Sequence, residues 1–189
     1  MYVLPLPAEK FPGWPKTSFG VQRSSSHVHQ GVDLFAPKGT PVLAVSDGVV
    51  TSARTSLGPS NGKKTGAGRN VVIEHAGGIW SWYMHLDTVK VTQGQTVKAG
   101  QQIGTLGNTM FNDITMKSPA HLHFEILDKY PPGGEPKGGG IQHRLNPQTF
   151  LEKQGAGGVS TQASGKSSNT GVVIIAILGA VLLWKGSRK

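Results

Sequence analysis

The chain has 189 residues, a formal charge of +9, 27 glycines, 12 prolines and no cysteine. That length allows one domain with a buried core plus appendages. The lack of cysteine excludes a disulfide framework or a thiolate metal site, so nitrogen and oxygen must hold any metal.

The positive charge suits a polyanionic surface such as a cell wall or lipid headgroups. No aromatic-and-basic RNA-binding signature and no recognition-helix pattern is present, so no specific nucleic-acid partner is predicted. Residues 1–19 read as an irregular, proline-rich lead-in without the basic and then apolar regions of a cleavable signal peptide. Beyond it, Pro41–Val45 and Gly48–Val50 read as strands around Ser46-Asp47-Gly48. Asn70–His75 and Ile79–His85 read as a hairpin across Gly77-Gly78. Gln95–Lys98 and Gln101–Leu106 are short strands between glycines, and Ala120–Leu127 is a further strand. No stretch of this body sustains a 3.6-residue apolar period. The expected fold class is therefore all-β, with antiparallel sheets forming a cleft, in one catalytic domain over residues 20–153. Two long loops, Thr55–Arg69 and Tyr130–Gly140, interrupt it; such loops either rim a binding cleft or are disordered insertions.

Residues 154–170 shift to Gly, Ser, Ala, Thr and Asn, the composition of a flexible linker. Gly171 to Trp184 is then 14 uninterrupted apolar residues, fewer than the roughly 20 needed to span a bilayer core. Trp184 and Lys185 can sit at the interface, and Asn169 or Thr170 can extend the helix. The expectation is a C-terminal transmembrane anchor over 171–184 with a basic tail, 185–189. In a cell membrane that tail would stay cytoplasmic, leaving the body outside the cytoplasm in the cell envelope.

The chemistry concentrates in histidines. In a strand over 120–127, side chains alternate with period 2. His121, His123 and Glu125 then share one face, and Leu122, Phe124 and Ile126 point into a core. Near the front, His29-Gln30-Gly31-Val32-Asp33 sets an imidazole and a carboxylate four apart. Gly31 argues against a helix, but an irregular strand can turn both onto one ion. His29, Asp33 and one histidine of the 121/123 pair would give two nitrogens and one oxygen, with a fourth tetrahedral position left for water, the arrangement of catalytic Zn²⁺ sites. The strand ending Tyr83-Met84-His85-Leu86 is expected to put Tyr83 and His85 on one face, with Met84 and Leu86 on the other. His85 and the spare histidine of the pair can then flank the water, one taking its proton and the other stabilising the oxyanion.

These three segments resemble the signatures of the lysostaphin-like zinc metalloendopeptidases, which cut peptide crosslinks or stems of bacterial peptidoglycan. Ala36–Val42, Asp47–Val50, Asn70–His75, Gly94–Gly104 and Asn146-Pro147 agree with the family's spacer pattern, so the resemblance covers roughly His27 to Leu151. It implies that His29, Asp33 and His123 bind zinc and that His85 and His121 are catalytic. His75, which matches a family position, is read as structural, and His27 and His143 are read as incidental. Glu125, on the ligand face, is placed to orient an imidazole. The chain departs from the family in longer segments at Asn108–Pro119 and Lys129–Leu145, beside the expected cleft, so substrate preference does not carry over.

The resulting reading is a membrane-anchored zinc endopeptidase acting on peptidoglycan. An anchored hydrolase without an export signal points to a bacteriophage product, carried in a virion membrane and opening the wall during infection. The rival is a non-catalytic relative that binds or regulates at the wall. A second rival, a biotinyl or lipoyl carrier suggested by Gly94–Gln101, leaves the histidines unexplained.

Overall fold

A computed structural model of the chain describes residues 1–16, 18–56, 66–110, 119–130 and 140–156. A hairpin of two short strands, β1 (Gln22–Ser24) and β2 (His27–Val28), comes first. Then follow β3 (Val32–Phe35), β4 (Pro41–Leu43), β5 (Gly48–Arg54), β6 (Arg69–His75), β7 (Ile79–Val89) and β8 (Thr96–Val97). β9 (Gln102–Leu106), β10 (His121–Leu127) and β11 (Arg144–Leu145) complete a sheet of nine strands, β3 to β11, in which every pairing is antiparallel. The all-β antiparallel expectation holds for the body. One short helix, α1 (Pro147–Lys153), was not expected. Proline stands at its first turn, and the Asn146 side chain accepts from the backbone N–H of Gln148 and Thr149.

The sheet is organised around β7 and β10. From Trp80 to Met84, β7 pairs with β10 on one side, and over Ile79–Tyr83 with β6 on the other. From Leu86 to Val89 it pairs with β9. β10 lies between β7 on one edge and β3, then β11, on the other. Leu122, Phe124 and Ile126 are fully buried, as alternation requires, and join Leu34, Val71, Tyr83, Leu86, Ile103 and Leu106 in the main core. Each such side chain contributes roughly 1.5–3 kcal/mol by leaving water. The opposite face carries a smaller cluster of Ala67, Val72, Trp82, Met84 and Leu127.

Strand β7 departs from the expected alternation at its end. Tyr83 belongs to the main core and Met84 to the opposite face, yet Leu86 returns to the main core beside Tyr83. The face assignments expected for Met84 and Leu86, and for Tyr83 and His85, are therefore corrected. The cause is His85, whose φ of +62° interrupts the period of two. Such a conformation costs on the order of 1–3 kcal/mol in a residue other than glycine. It turns one strand from β6 and β10 toward β9 and frees His85 from the core.

The lead-in is irregular apart from one 3₁₀ turn at Ala8–Lys10, but it packs against the body. Leu6 is buried in the main core, and backbone bonds run from Val3 N–H to Val45 O and from Leu43 N–H to Pro5 O. Positions 57–65, 111–118 and 131–139 of the long segments lie outside the described residues, as do most of the linker, the 171–184 stretch expected to be an anchor, and the basic tail. Among the described residues, no helix is long and apolar enough to cross a membrane.

Candidate metal centre and its neighbouring histidines

The centre forms where β3 lies against β10. Their register sets Asp33 opposite His123, and the loop before β3 carries His29 over the same point. Gly31 makes this crossing possible. A Cβ there would collide with the Phe124 carbonyl oxygen and sit 3.0 Å from His123 Nε2. The chain therefore passes directly over β10, and the four-residue spacing of His29 and Asp33 closes onto one spot without a helix.

Three donor atoms meet there. His29 Nε2 lies 3.1 Å from Asp33 Oδ1 and 3.1 Å from His123 Nδ1, and His123 Nδ1 lies 2.8 Å from Asp33 Oδ1. Around a tetrahedral zinc ion with bonds of about 2.0–2.1 Å, donor atoms stand about 3.3 Å apart, so this triangle needs little opening to receive one. Each candidate ligand is also fixed from behind. His29 Nδ1–H donates to the Ser18 carbonyl at 2.7 Å, and His123 Nε2 contacts Glu125 Oε1 at 3.0 Å. Both partners are acceptors, so each ring, once neutral, puts its lone pair on the nitrogen facing the centre. Arg23 Nη2 takes Asp33 Oδ2 at 3.1 Å and leaves Oδ1 turned inward.

The electrostatics favour positive charge at this point. Burial alone would raise the Asp33 carboxyl, but hydrogen bonds and attraction from His123 and His29 hold it far below the usual carboxylate range. His123 is depressed by burial, yet Asp33 and Glu125 raise it to about 9. Glu125 is itself buried, which would raise its carboxyl, but His123 and then Arg144, whose Nε donates to its other oxygen at 2.9 Å, hold it below the usual range.

His121 and His85 stand beside this triangle. His121 Nε2 lies 4.0 Å from Asp33 Oδ1, and the His85 ring centroid lies 5.1 Å from that of His121 and 6.0 Å from that of His123. Both are pinned by backbone carbonyls. His85 Nδ1–H donates to Thr109 O at 2.9 Å and His121 Nδ1–H to Pro119 O at 3.0 Å, leaving each Nε2 as an acceptor. Burial, and then the neighbouring His123, lower His85 to about 4, so it is neutral at physiological pH. Phe35, half exposed, packs against His121 with centroids 5.2 Å apart.

All five expected residues thus converge. The other histidines do not. His75 is buried between the Asp47 carbonyl and the Ser81 hydroxyl, His143 pairs with Asp128 at the surface, and His27 is exposed in β2. Tyr83 is a core residue whose hydroxyl accepts from Val45 N–H. The sequence did not point to Ser18, Arg23, Thr109, Pro119 or Arg144. Three of these act through backbone carbonyls, which leave no residue signature.

The relatives agree with this architecture. The glycyl-glycine endopeptidase ALE-1 of Staphylococcus capitis is 35% identical over 137 residues, 72% of this chain and 32% of that protein. The catalytic domain of the antimicrobial peptidase lysostaphin from Staphylococcus simulans superposes with a TM-score of 0.52 at 29% identity, covering 76% of this chain and 89% of that one. A zinc-containing peptidase from Vibrio cholerae gives a TM-score of 0.50 at 30% identity, over 68% of this chain and 37% of that one. The curated relatives are longer, and the matched part spans between 18% and 41% of their length. The family model for Peptidase family M23 matches residues 27–135, a span containing all five converging residues. The chain belongs to Peptidase family M23.

Proposed function

We propose that the chain is a zinc endopeptidase that hydrolyses peptide bonds of bacterial peptidoglycan, with His29, Asp33 and His123 as metal ligands and His85 and His121 as proton-transfer residues. The observation that carries this reading is the triangle of donor atoms 2.8–3.1 Å apart, beside two histidines whose Nδ1 atoms are tied to backbone carbonyls. Two imidazoles and one carboxylate suit zinc. When bound, the ion supplies Lewis acidity toward a peptide carbonyl and lowers the pKa of water to about 7.

The protein's own groups handle the protons. His85 Nε2 accepts a proton from the attacking water. The proton then passes from His85 Nε2 to the departing amine nitrogen. The products are a carboxylate and an amine. His121, whose Nε2 lies 4.0 Å from Asp33 Oδ1, stands at the edge of the centre as the second catalytic histidine, and Arg23 keeps Asp33 singly presented. Peptidoglycan as substrate is supported by the peptidoglycan endopeptidases among the relatives and by the basic charge. We also propose that residues 171–184 tether the domain to a membrane, in a virion or a cell envelope, a reading that rests on the apolar run alone.

The test uses the 189-residue chain and purified peptidoglycan, with new amine groups as the readout. Chelation should abolish their release and zinc restore it. Release that survives complete metal removal would exclude this mechanism. Resistance of the chain to carbonate extraction from vesicles tests the tether.

A further inference from the structure

His85 is held in an unusual way, and one residue does most of the holding. Its backbone N–H donates to Ala67 O at 2.9 Å, its carbonyl accepts from Thr109 N–H at 3.4 Å, and its Nδ1–H donates to Thr109 O at 2.9 Å. The left-handed turn at His85 also disturbs the ladder beside it. Arg69 and Leu86 are register partners across β6 and β7, at the point where the register shifts. The Thr109 hydroxyl occupies the gap, accepting from Arg69 N–H at 3.1 Å and donating to Leu86 O at 2.8 Å. Thr109 is 5% exposed, so water cannot replace that hydroxyl easily.

Gly68 closes the other side. With φ +61°, it lies so near Thr109 that a Cβ would collide with the Thr109 carbonyl oxygen and sit 2.6 Å from its Oγ1. The carbonyl that receives His85 Nδ1–H is therefore fixed by the Thr109 hydroxyl on one flank and by backbone contact on the other. The same segment bonds the second histidine, since His121 N–H donates to Gly107 O at 3.0 Å.

We propose that Thr109 is a positioning residue: its hydroxyl, spliced between β6 and β7, aims its own carbonyl at His85 and so fixes the ring with Nδ1 protonated and Nε2 as the acceptor. This rests on the reading of His85 as proton acceptor. A neutral imidazole in the other tautomer would present an N–H to the attacking water and accept nothing. Orientation lost by a fraction of an ångström weakens the same step.

The test compares wild type, Thr109→Val and Thr109→Ser in the zinc-loaded 189-residue chain. The histidine tautomers are read by ¹⁵N NMR, alongside kcat, KM and bound zinc. Wild-type His85 should be the Nδ1–H tautomer. In Thr109→Val, which keeps the shape and removes the hydroxyl, the Nε2–H form should appear and kcat fall about 10–100-fold, with KM and zinc content unchanged. Thr109→Ser should recover both. The proposal is overturned if wild-type His85 carries its proton on Nε2, if Thr109→Val leaves the tautomer unchanged, or if Thr109→Ser fails as Thr109→Val does. A wild-type His85 protonated on Nε2 overturns the proposal even if Thr109→Val does not fold. Full activity in His85→Ala would instead remove the proton-acceptor reading and leave the tautomer result standing.

Discussion

The site has two halves built from the same side chain. In one, His123 is backed by the carboxylate of Glu125 and shares its inward nitrogen with Asp33, and His29 joins them. In the other, His85 and His121 are backed only by the uncharged carbonyls of Thr109 and Pro119. Carboxylates draw positive charge, raising His123 to about 9, while burial without such a partner lowers His85 to about 4. Identical imidazoles a few ångströms apart are thereby separated into a half suited to a cation and a half that, in the proposed mechanism, exchanges protons. Between His123 and His85 the carboxylate neighbours make the difference, while His29, backed by the Ser18 carbonyl, joins the first half through Asp33.

The largest effect should come from breaking the cation-holding half. Asp33→Ala removes the shared oxygen, and zinc binding should fall below detection, with loss of at least about 10³-fold in activity. Metal analysis of the purified variant checks it. His85→Ala strikes the other half. It should keep its zinc and lose about 10²–10⁴-fold in kcat. If His85→Ala lost the metal as completely as Asp33→Ala, the division into two halves would be wrong.

Glu125 sharpens the comparison with a smaller effect. Glu125→Gln keeps size and one acceptor oxygen but removes the charge that faces both His123 and Arg144. Zinc affinity should weaken by about 10–100-fold, while kcat at saturating zinc stays near wild type. Competition with a chelator of known strength measures the first quantity. An unchanged affinity would mean that the carboxylate supports packing rather than the metal.

How much of this could be read from the sequence follows from which interactions are local. The strand at 121–127 was legible because alternation places Leu122, Phe124 and Ile126 in the core and the histidines opposite. The chemistry of His29, Asp33, His85, His121 and His123 was legible as residue types, and their grouping came from a family pattern. Geometry confined to one residue was not legible. Nothing in Tyr83-Met84-His85-Leu86 announces a left-handed φ at His85, and without it the alternation rule puts that ring in the core. The partner of Glu125 is Arg144, 19 residues further on and beyond a glycine-rich segment, so its full burial as an ion pair had no local sign. Leu6 was hidden for a different reason. A proline-rich lead-in carries no periodicity, yet Val3 and Pro5 use their backbones to dock along Val45 and Leu43.

His75 supplies the smallest and most stringent test, because it has the carbonyl-backed arrangement far from any metal chemistry. Its Nδ1–H donates to Asp47 O at 2.9 Å and its Nε2 accepts from the Ser81 hydroxyl at 2.7 Å. Burial lowers its pKa below the ordinary 6.5, with the Asp47 carbonyl and charge opposing only in part. The folded protein therefore keeps His75 neutral where the unfolded chain takes up a proton. The stability this contributes is fully present above pH 6.5 and is lost as pH falls below that value toward the lower folded pKa. His75→Gln, which titrates nothing, should show a shallower decline in melting temperature between pH 7.5 and pH 5 than wild type, by about 2–4 °C for each kcal/mol involved. Both should be measured metal-free so that zinc release does not contribute. Parallel curves would mean that a carbonyl-backed, buried imidazole is not kept neutral by its surroundings, and the same physical argument would then fail for His85.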